Sequence, residues 1–147
     1  MMTKIRKATH ADIEKICEIE ISGAAYWNKQ QFMAELKLDF GNFIVLEANL
    51  EVIGYAVSWY VTDEIQLNNL VIKPEYRRKG MGTILLEHIL TDSYTREPLP
   101  RSIILEVSNE NRAAIQFYKK NGFIETGRRK NYYKHSDAIL MIKEIPR

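Results

Sequence analysis

The chain has 147 residues, 46% apolar and 27% charged, which suits a single domain spanning 1–147 with a real core and leaves no room for a second. Its 21 basic and 19 acidic side chains cancel to +2, so net charge implies neither wholesale nucleic-acid binding nor a membrane surface, and any positive site has to be local. No run approaches the roughly 18 to 20 apolar residues that span a bilayer, and the start MMTKIRKATHADIEK lacks the apolar core of a signal peptide, so a cytoplasmic protein is expected.

Thr3 to Ala8 reads as a short strand, and Thr9-His10-Ala11-Asp12 offers a capping box for a helix running to about Ser22. The single Cys17 excludes an intramolecular disulfide; placed with Ile13, Ile16 and Glu20 at helical spacing, it reads as an inert, partly buried thiol. Asn28 and Gln31 form a second box ahead of the stripe Phe32, Met33 and Leu36. Phe43 to Ala48, the turn Asn49-Leu50-Glu51 and Val52 to Val61 predict an antiparallel hairpin, with Glu64 to Ile72 a third strand. Pro74-Glu75-Tyr76 turns the chain into Arg77-Arg78-Lys79-Gly80-Met81-Gly82-Thr83, where an apolar helical pattern begins and continues to Leu90. Two prolines mark the loop from Thr95 to Arg101. Ser102 to Val107 is a buried strand by its β-branched content, Asn111 to Lys120 a helix, Asn121-Gly122 its left-handed stop, and Phe123 to Tyr133 and Ala138 to Glu144 two closing strands. The order β-α-α-β-β-β-α-β-α-β-β predicts a mixed α/β sheet flanked by helices.

The segment from Arg77 to Thr83 has the chemistry of an anion site. A helix N-terminus leaves backbone N–H groups unpaired and carries partial positive charge, and glycines let a phosphate approach that backbone. A solvated basic loop before an ordinary glycine-capped helix is the alternative reading of a bare R-x-x-G-x-G pattern. Neither G-x-x-x-x-G-K-[ST] nor a G-x-G-x-x-G followed by a ribose-binding acid is present.

LNNLVIKPEYRRKGMGTILLEHIL resembles the acyl-coenzyme A binding motif of the GNAT acetyltransferase superfamily, strand then R-x-x-G-x-G then helix. IILEVSNENRAAIQFYKKNGFIETGRRKNYY followed by DAILM is similar to the RimI-type ribosomal-protein-alanine N-acetyltransferases. The resemblance spans the chain and is most specific from about Glu64 onward. It implies the GNAT fold, a mostly antiparallel central sheet, and acetyl-CoA as co-substrate without a metal. It also implies that Leu70, Val71 and Ile72 pair through their backbone with the pantetheine arm and offer N–H groups to the oxyanion. Arg77, Arg78, Lys79, Gly80, Met81, Gly82 and Thr83 would hold the pyrophosphate, and Asn111 would bind farther along the coenzyme. Glu106 would be the general base and Tyr118 the general acid, since a protonated amine must lose a proton to attack a thioester and the departing thiolate must gain one. Tyr26, Trp27, Tyr132 and Tyr133 would line the acceptor site. Relatives often carry Pro-Trp-Ser where this chain has Tyr26-Trp27-Asn28, which bears on acceptor specificity.

Without the resemblance these residues have plainer readings. Glu106 would face solvent by strand alternation, Tyr118 would be core packing beside Phe117 and Phe123, and Trp27 would be a staple for its helix. Glu64 is a second base candidate or a surface carboxylate. His10, His88 and His135 show no ligand spacing and are given no chemistry. Arg128, Arg129 and Lys130 with Tyr132 and Tyr133 read as a solvated edge or peptide-binding wall rather than an RNA site. An α-amine of pKa ~7.8 is neutral about a tenth of the time at pH 7, and a lysine of pKa ~10.4 only about once in a few thousand encounters, which favours an N-terminal amine. Three functions therefore stand: a peptide Nα-acetyltransferase with a protein N-terminus, such as that of a ribosomal protein, as acceptor; an acetyltransferase for a lysine side chain or small amine; and a non-catalytic acetyl-CoA binding module.

Overall fold

Asn49 and Leu50 both adopt left-handed backbone (φ 52° and 69°), so a two-residue turn joins β2 (Gly41–Ala48) to β3 (Glu51–Val61) with Ala48 opposite Glu51. The structure, a computed structural model, describes residues 2–23, 26–133 and 136–146. With β1 (Thr3–Lys7), β4 (Glu64–Ile72), β5 (Ser102–Ser108), β6 (Ile124–Tyr133) and β7 (Ser136–Glu144), the hairpin belongs to one sheet of order β1-β2-β3-β4-β5-β7-β6. Every neighbouring pair is antiparallel except β4 and β5. The helices are α1 (Ile13–Glu20), α2 (Lys29–Glu35), α3 (Met81–Ser93) and α4 (Arg112–Lys120), so the element order is the one the sequence predicts.

The helices divide between the two faces of the sheet. Ile13, Ile16 and Ile19 of α1 and Phe32 of α2 pack on Phe43, Val45, Tyr55, Val57 and Val71, all from β2, β3 and β4. On the other face Met81, Leu85, Leu86 and Ile89 of α3 and Tyr118 of α4 meet Ile65, Leu67, Ile103, Leu105, Val107, Ile139 and Met141. The first face is thus covered only over its β2–β4 half by these clusters, whereas the second is covered from β2 to β7.

Element boundaries follow capping chemistry. The first helix opens as a 3-10 turn over His10–Asp12, with Asp12 accepting from Thr9 N–H at 2.8 Å, and the α-helix ends at Glu20 rather than Ser22. Asn28 and Gln31 cap each other's backbone N–H groups at 2.9 and 2.8 Å, as the second box requires. Trp27, the residue before that cap, lies 5.4 Å from the Phe32 ring in the first full turn, which is a hydrophobic staple. Asn111 is not the first helical residue of α4 but its cap, taking Ala114 N–H at 3.2 Å. At the far end Gly122 (φ 93°) lets its own N–H reach Lys119 O at 3.1 Å and that of Phe123 reach Tyr118 O at 3.0 Å. Phe123 is therefore part of the helix stop rather than of β6.

Glu35 is a buried carboxyl held by the Trp59 indole N–H (3.0 Å), with no cation paired to it among the described residues. Burial raises its pKa, and the indole hydrogen bond offsets only part of that rise. A raised folded-state value means that ionisation opposes folding: stability falls as pH climbs through the unfolded and then the folded pKa, and stays lower above both. Glu35→Gln, which can still accept from the indole, should therefore raise the melting temperature at pH 7 to 8 and change it little near pH 4. Thermal melts at the two pH values check this.

Candidate active site

The parallel ladder between β4 and β5 is short. Pairing runs from Glu64 with Ser102 to Gln66 with Ile104 and stops there, although β4 continues to Ile72 and β5 to Ser108. Beyond it the two strands hold their other neighbours, β3 and β7, and leave a wedge between themselves. The β3–β4 register slips between Val57 and Ser58, which leaves Asn68 of β4 without an opposite residue, a bulge beside this opening.

Backbone directions in the wedge follow from one bond. Lys73 N–H donates to Ile53 O at 2.7 Å, so by alternation Val71 also turns its backbone groups to β3, while Leu70 and Ile72 turn theirs to the wedge. The Ile72 carbonyl is taken by Arg77 Nε at 2.8 Å. Of the three residues expected to offer backbone groups, Leu70 and the Ile72 N–H face the wedge and Val71 faces β3.

At the open end of β4 lies the start of α3. Gly80 caps this 13-residue helix in left-handed backbone (φ 81°) and no side chain caps it, unlike α2 and α4. The N–H groups of Met81, Gly82 and Thr83 precede the first bond of the helix ladder, from Ile84 to Gly80 O at 3.1 Å. Arg78, itself at φ 60°, is exposed and makes no ion pair among the described residues, and Lys79 lies 5.8 Å over the Tyr76 ring. Several of the expected residues also have partners of their own. Arg77 donates to Ile72 O and to the Ser22 hydroxyl (3.0 Å), which ties α1 to the end of β4. A Cβ on Gly82 would fall 2.7 Å from the Phe117 ring, so this glycine serves the contact of α3 with α4. Thr83 Oγ1 likewise bonds Asn121 Oδ1 at 3.1 Å, and Asn111 Oδ1 is used as a cap.

Glu106 and Tyr118 stand on opposite faces. Leu105 and Val107 enter the α3–α4 core, so Glu106 between them projects to the face that α1 and α2 leave uncovered at β5. There Arg129 of β6 reaches across β7 to place Nη2 3.4 Å from Glu106 Oε1, and the guanidinium lies 5.5 Å from the Tyr132 ring. Tyr133 is close enough that the Glu106 charge adds to burial in raising its hydroxyl pKa. Tyr118 sits on the α4 side, its ring 5.2 Å from Phe117 and 5.4 Å from Phe123, and 9% exposed. No described residue accepts from its hydroxyl, and burial lifts that group's pKa above the usual tyrosine range. The opening between the two faces beside Glu106 is the wedge.

The remaining candidates scatter. Glu64 lies at the closed end of the ladder, its Oε2 3.4 Å from the Ser102 hydroxyl and roughly 13 Å of strand from the level of Glu106. Tyr26 is 87% exposed at φ 58°, whereas Trp27 is engaged as a staple. Cys17 is free and half-buried with its thiol pushed up by burial, and His135 lies outside the described residues. Sequence reasoning passed over Glu20, Tyr55 and Asn69, which form a buried polar cluster beside Leu70. The readable signal was a carboxylate on the apolar stripe of α1.

The family model described as Acetyltransferase (GNAT) family matches residues 8–123. The [ribosomal protein bS18]-alanine N-acetyltransferase of Salmonella typhimurium is 32% identical over 98% of this chain and 99% of its own. The crystal structure of the ribosomal-protein-S18-alanine N-acetyltransferase from Escherichia coli superposes with a TM-score of 0.86 at 30% identity, covering 99% of this chain and 96% of that one. That of Ard1 from Thermoplasma volcanium gives 0.89 at 28% identity over the whole of both chains.

Proposed function

The chain belongs to the GNAT acetyltransferase family and is an acetyl-CoA-dependent N-acetyltransferase, and from that premise we propose that its acceptor is the N-terminal α-amine of a protein, of the ribosomal-protein-alanine class. The observation that carries this reading is the wedge with Glu106 on one face and Tyr118 on the other. An amine arriving from the uncovered face meets a carboxylate, and a group leaving toward α4 meets a hydroxyl.

The residues present fit the coenzyme. The uncapped start of α3 offers N–H groups and Arg78 offers charge to a pyrophosphate, while Leu70 and Ile72 offer backbone groups in the wedge to an extended amide-bearing arm. Bound acetyl-CoA supplies an acetyl group activated as a thioester. Glu106 accepts the proton of the acceptor ammonium, directly or through water, and Arg129 holds that carboxylate in place until the acceptor engages it. Tyr118, kept protonated by burial, donates toward the departing sulfur. Tyr132, Tyr133 and Arg129 form an aromatic and charged wall on the acceptor's side, suited to a peptide backbone. Incubation with acetyl-CoA and a library of free N-terminal peptides, with sites mapped by mass spectrometry, tests the reading: acetyl on α-amines supports it, and acetyl confined to lysines or small amines overturns it.

A further inference from the structure

Glu20, at the C-terminal end of α1, is 4% exposed and is met by hydrogen-bond donors from three elements. Its Oε1 accepts from the Tyr55 hydroxyl of β3 and from Asn69 Nδ2 of β4 at 3.0 Å, and Asn69 Nδ2 also reaches the Tyr55 oxygen at 3.0 Å. Its Oε2 accepts from the backbone N–H of Trp27 at 3.2 Å, just ahead of α2. No lysine or arginine pairs with it among the described residues, so a buried carboxylate is satisfied by neutral donors alone. Burial and the Glu20 carboxylate both raise the Tyr55 pKa, which keeps that hydroxyl a donor. Gly23 lies in the same grip: its N–H bonds Glu20 O at 2.7 Å, and a Cβ there would sit 2.9 Å from both Glu20 Oε1 and Val71 Cγ2. One side chain thus fastens the chain on either side of the α1–α2 connection to β4 at Asn69, next to the Leu70 backbone that faces the wedge.

A carboxylate buried without a cation is costly unless every lone pair has a donor, and this one could be replaced in a stable core by an apolar residue. Its arrangement has a use in joining the wedge strand to the segment that carries the exposed Tyr26. We infer that Glu20 is a positioning residue that holds Trp27 and the end of α1, which flank the α1–α2 connection, against β4 and so sets the geometry with which the acceptor enters the wedge. This rests on the acceptor being received on the face where that connection lies. It follows that Glu20 acts on acceptor binding and leaves alone the start of α3, where the coenzyme's pyrophosphate would sit.

The experiment compares Glu20→Met, Glu20→Gln and Tyr55→Phe. Met keeps the volume and removes both acceptors. Gln, with the Asn69 amide turned over, keeps the network paired: its oxygen accepts from Trp27 N–H and its Nε2 donates to Asn69 Oδ1. Tyr55→Phe removes one bond of the cluster without touching Trp27. Glu20→Met should raise the KM for an acceptor peptide roughly tenfold with kcat and the acetyl-CoA Kd changed less than about twofold, and Glu20→Gln should restore most of the loss. Tyr55→Phe should lower stability without moving that KM. Hydrogen exchange at the Trp27 amide should quicken in Glu20→Met, and this readout needs no acceptor, so a wrong acceptor class would leave it standing. Should Glu20→Met fail to fold, Gly23→Ala, whose Cβ crowds both Val71 and the Glu20 carboxylate while keeping the carboxylate's charge, should raise the peptide KM in the same way. Unchanged KM in a folded Glu20→Met or Gly23→Ala protein, an equal KM rise in Tyr55→Phe, or unchanged exchange at Trp27 would each overturn the inference.

Discussion

Glu106→Gln is expected to lower kcat/KM for a peptide acceptor by roughly 100-fold or more while the acetyl-CoA Kd stays within about twofold. The amide retains an oxygen for Arg129 and nearly the same volume, so the strand and the ion-pair partner stay where they are. What disappears is the proton acceptor on the uncovered face. The deficit should shrink as pH rises toward the α-amine pKa of ~7.8 and beyond, because an amine that is already neutral needs no base. Steady-state rates from pH 6.5 to 9.5, with calorimetry for the coenzyme, make the comparison. Glu64→Gln is the matched control: with its carboxylate at the closed end of the β4–β5 ladder, it should keep near-normal turnover. A crippled Glu64 variant beside a normal Glu106 variant would reverse the assignment.

Tyr118→Phe should cost catalysis and almost no stability. The hydroxyl has no partner among the described residues, so its removal strands no donor or acceptor, while the ring contacts with Phe117 and Phe123 persist. A change in unfolding free energy below about 0.5 kcal/mol is expected in urea titrations. A hydroxyl held above the usual tyrosine range by burial gives up its proton reluctantly, so the expected fall in turnover is smaller than at Glu106, roughly 10- to 100-fold. Full turnover in the Phe variant, under conditions where chemistry limits the rate, would leave Tyr118 as core packing alone.

The alternation of elements was legible in the sequence because capping residues and turn residues act locally: Asn28 with Gln31, Asn49-Leu50 and Gly122 each announce a boundary that the structure keeps within a residue or two. What the sequence concealed depends on which strands meet. R-x-x-G-x-G reads as a uniform anion cradle, yet only the fold reveals that Arg77 bonds Ile72 and Ser22 and that Gly82 gives room to Phe117, 35 residues away in the chain. The backbone donors of β4 could be assigned only after Lys73 fixed the side on which alternate residues turn. Glu106 and Tyr118 are 12 positions apart, and nothing in that spacing indicates that a parting of two parallel strands lies between their faces. Glu20 was visible as a carboxylate on an apolar stripe, but its donors come from β3, β4 and Trp27, just ahead of α2.

The most direct test of N-terminal acetylation uses one peptide in two forms, each with the same internal lysine, one with a free amino terminus and one with that terminus blocked, incubated with acetyl-CoA at pH 7 and mapped by mass spectrometry. At that pH the α-amine is neutral about a tenth of the time and the lysine several hundredfold less often, so the free form should carry acetyl at its terminus and the blocked form should carry almost none. Acetylation of lysine in the blocked peptide as fast as the terminus reacts in the free one would contradict the account.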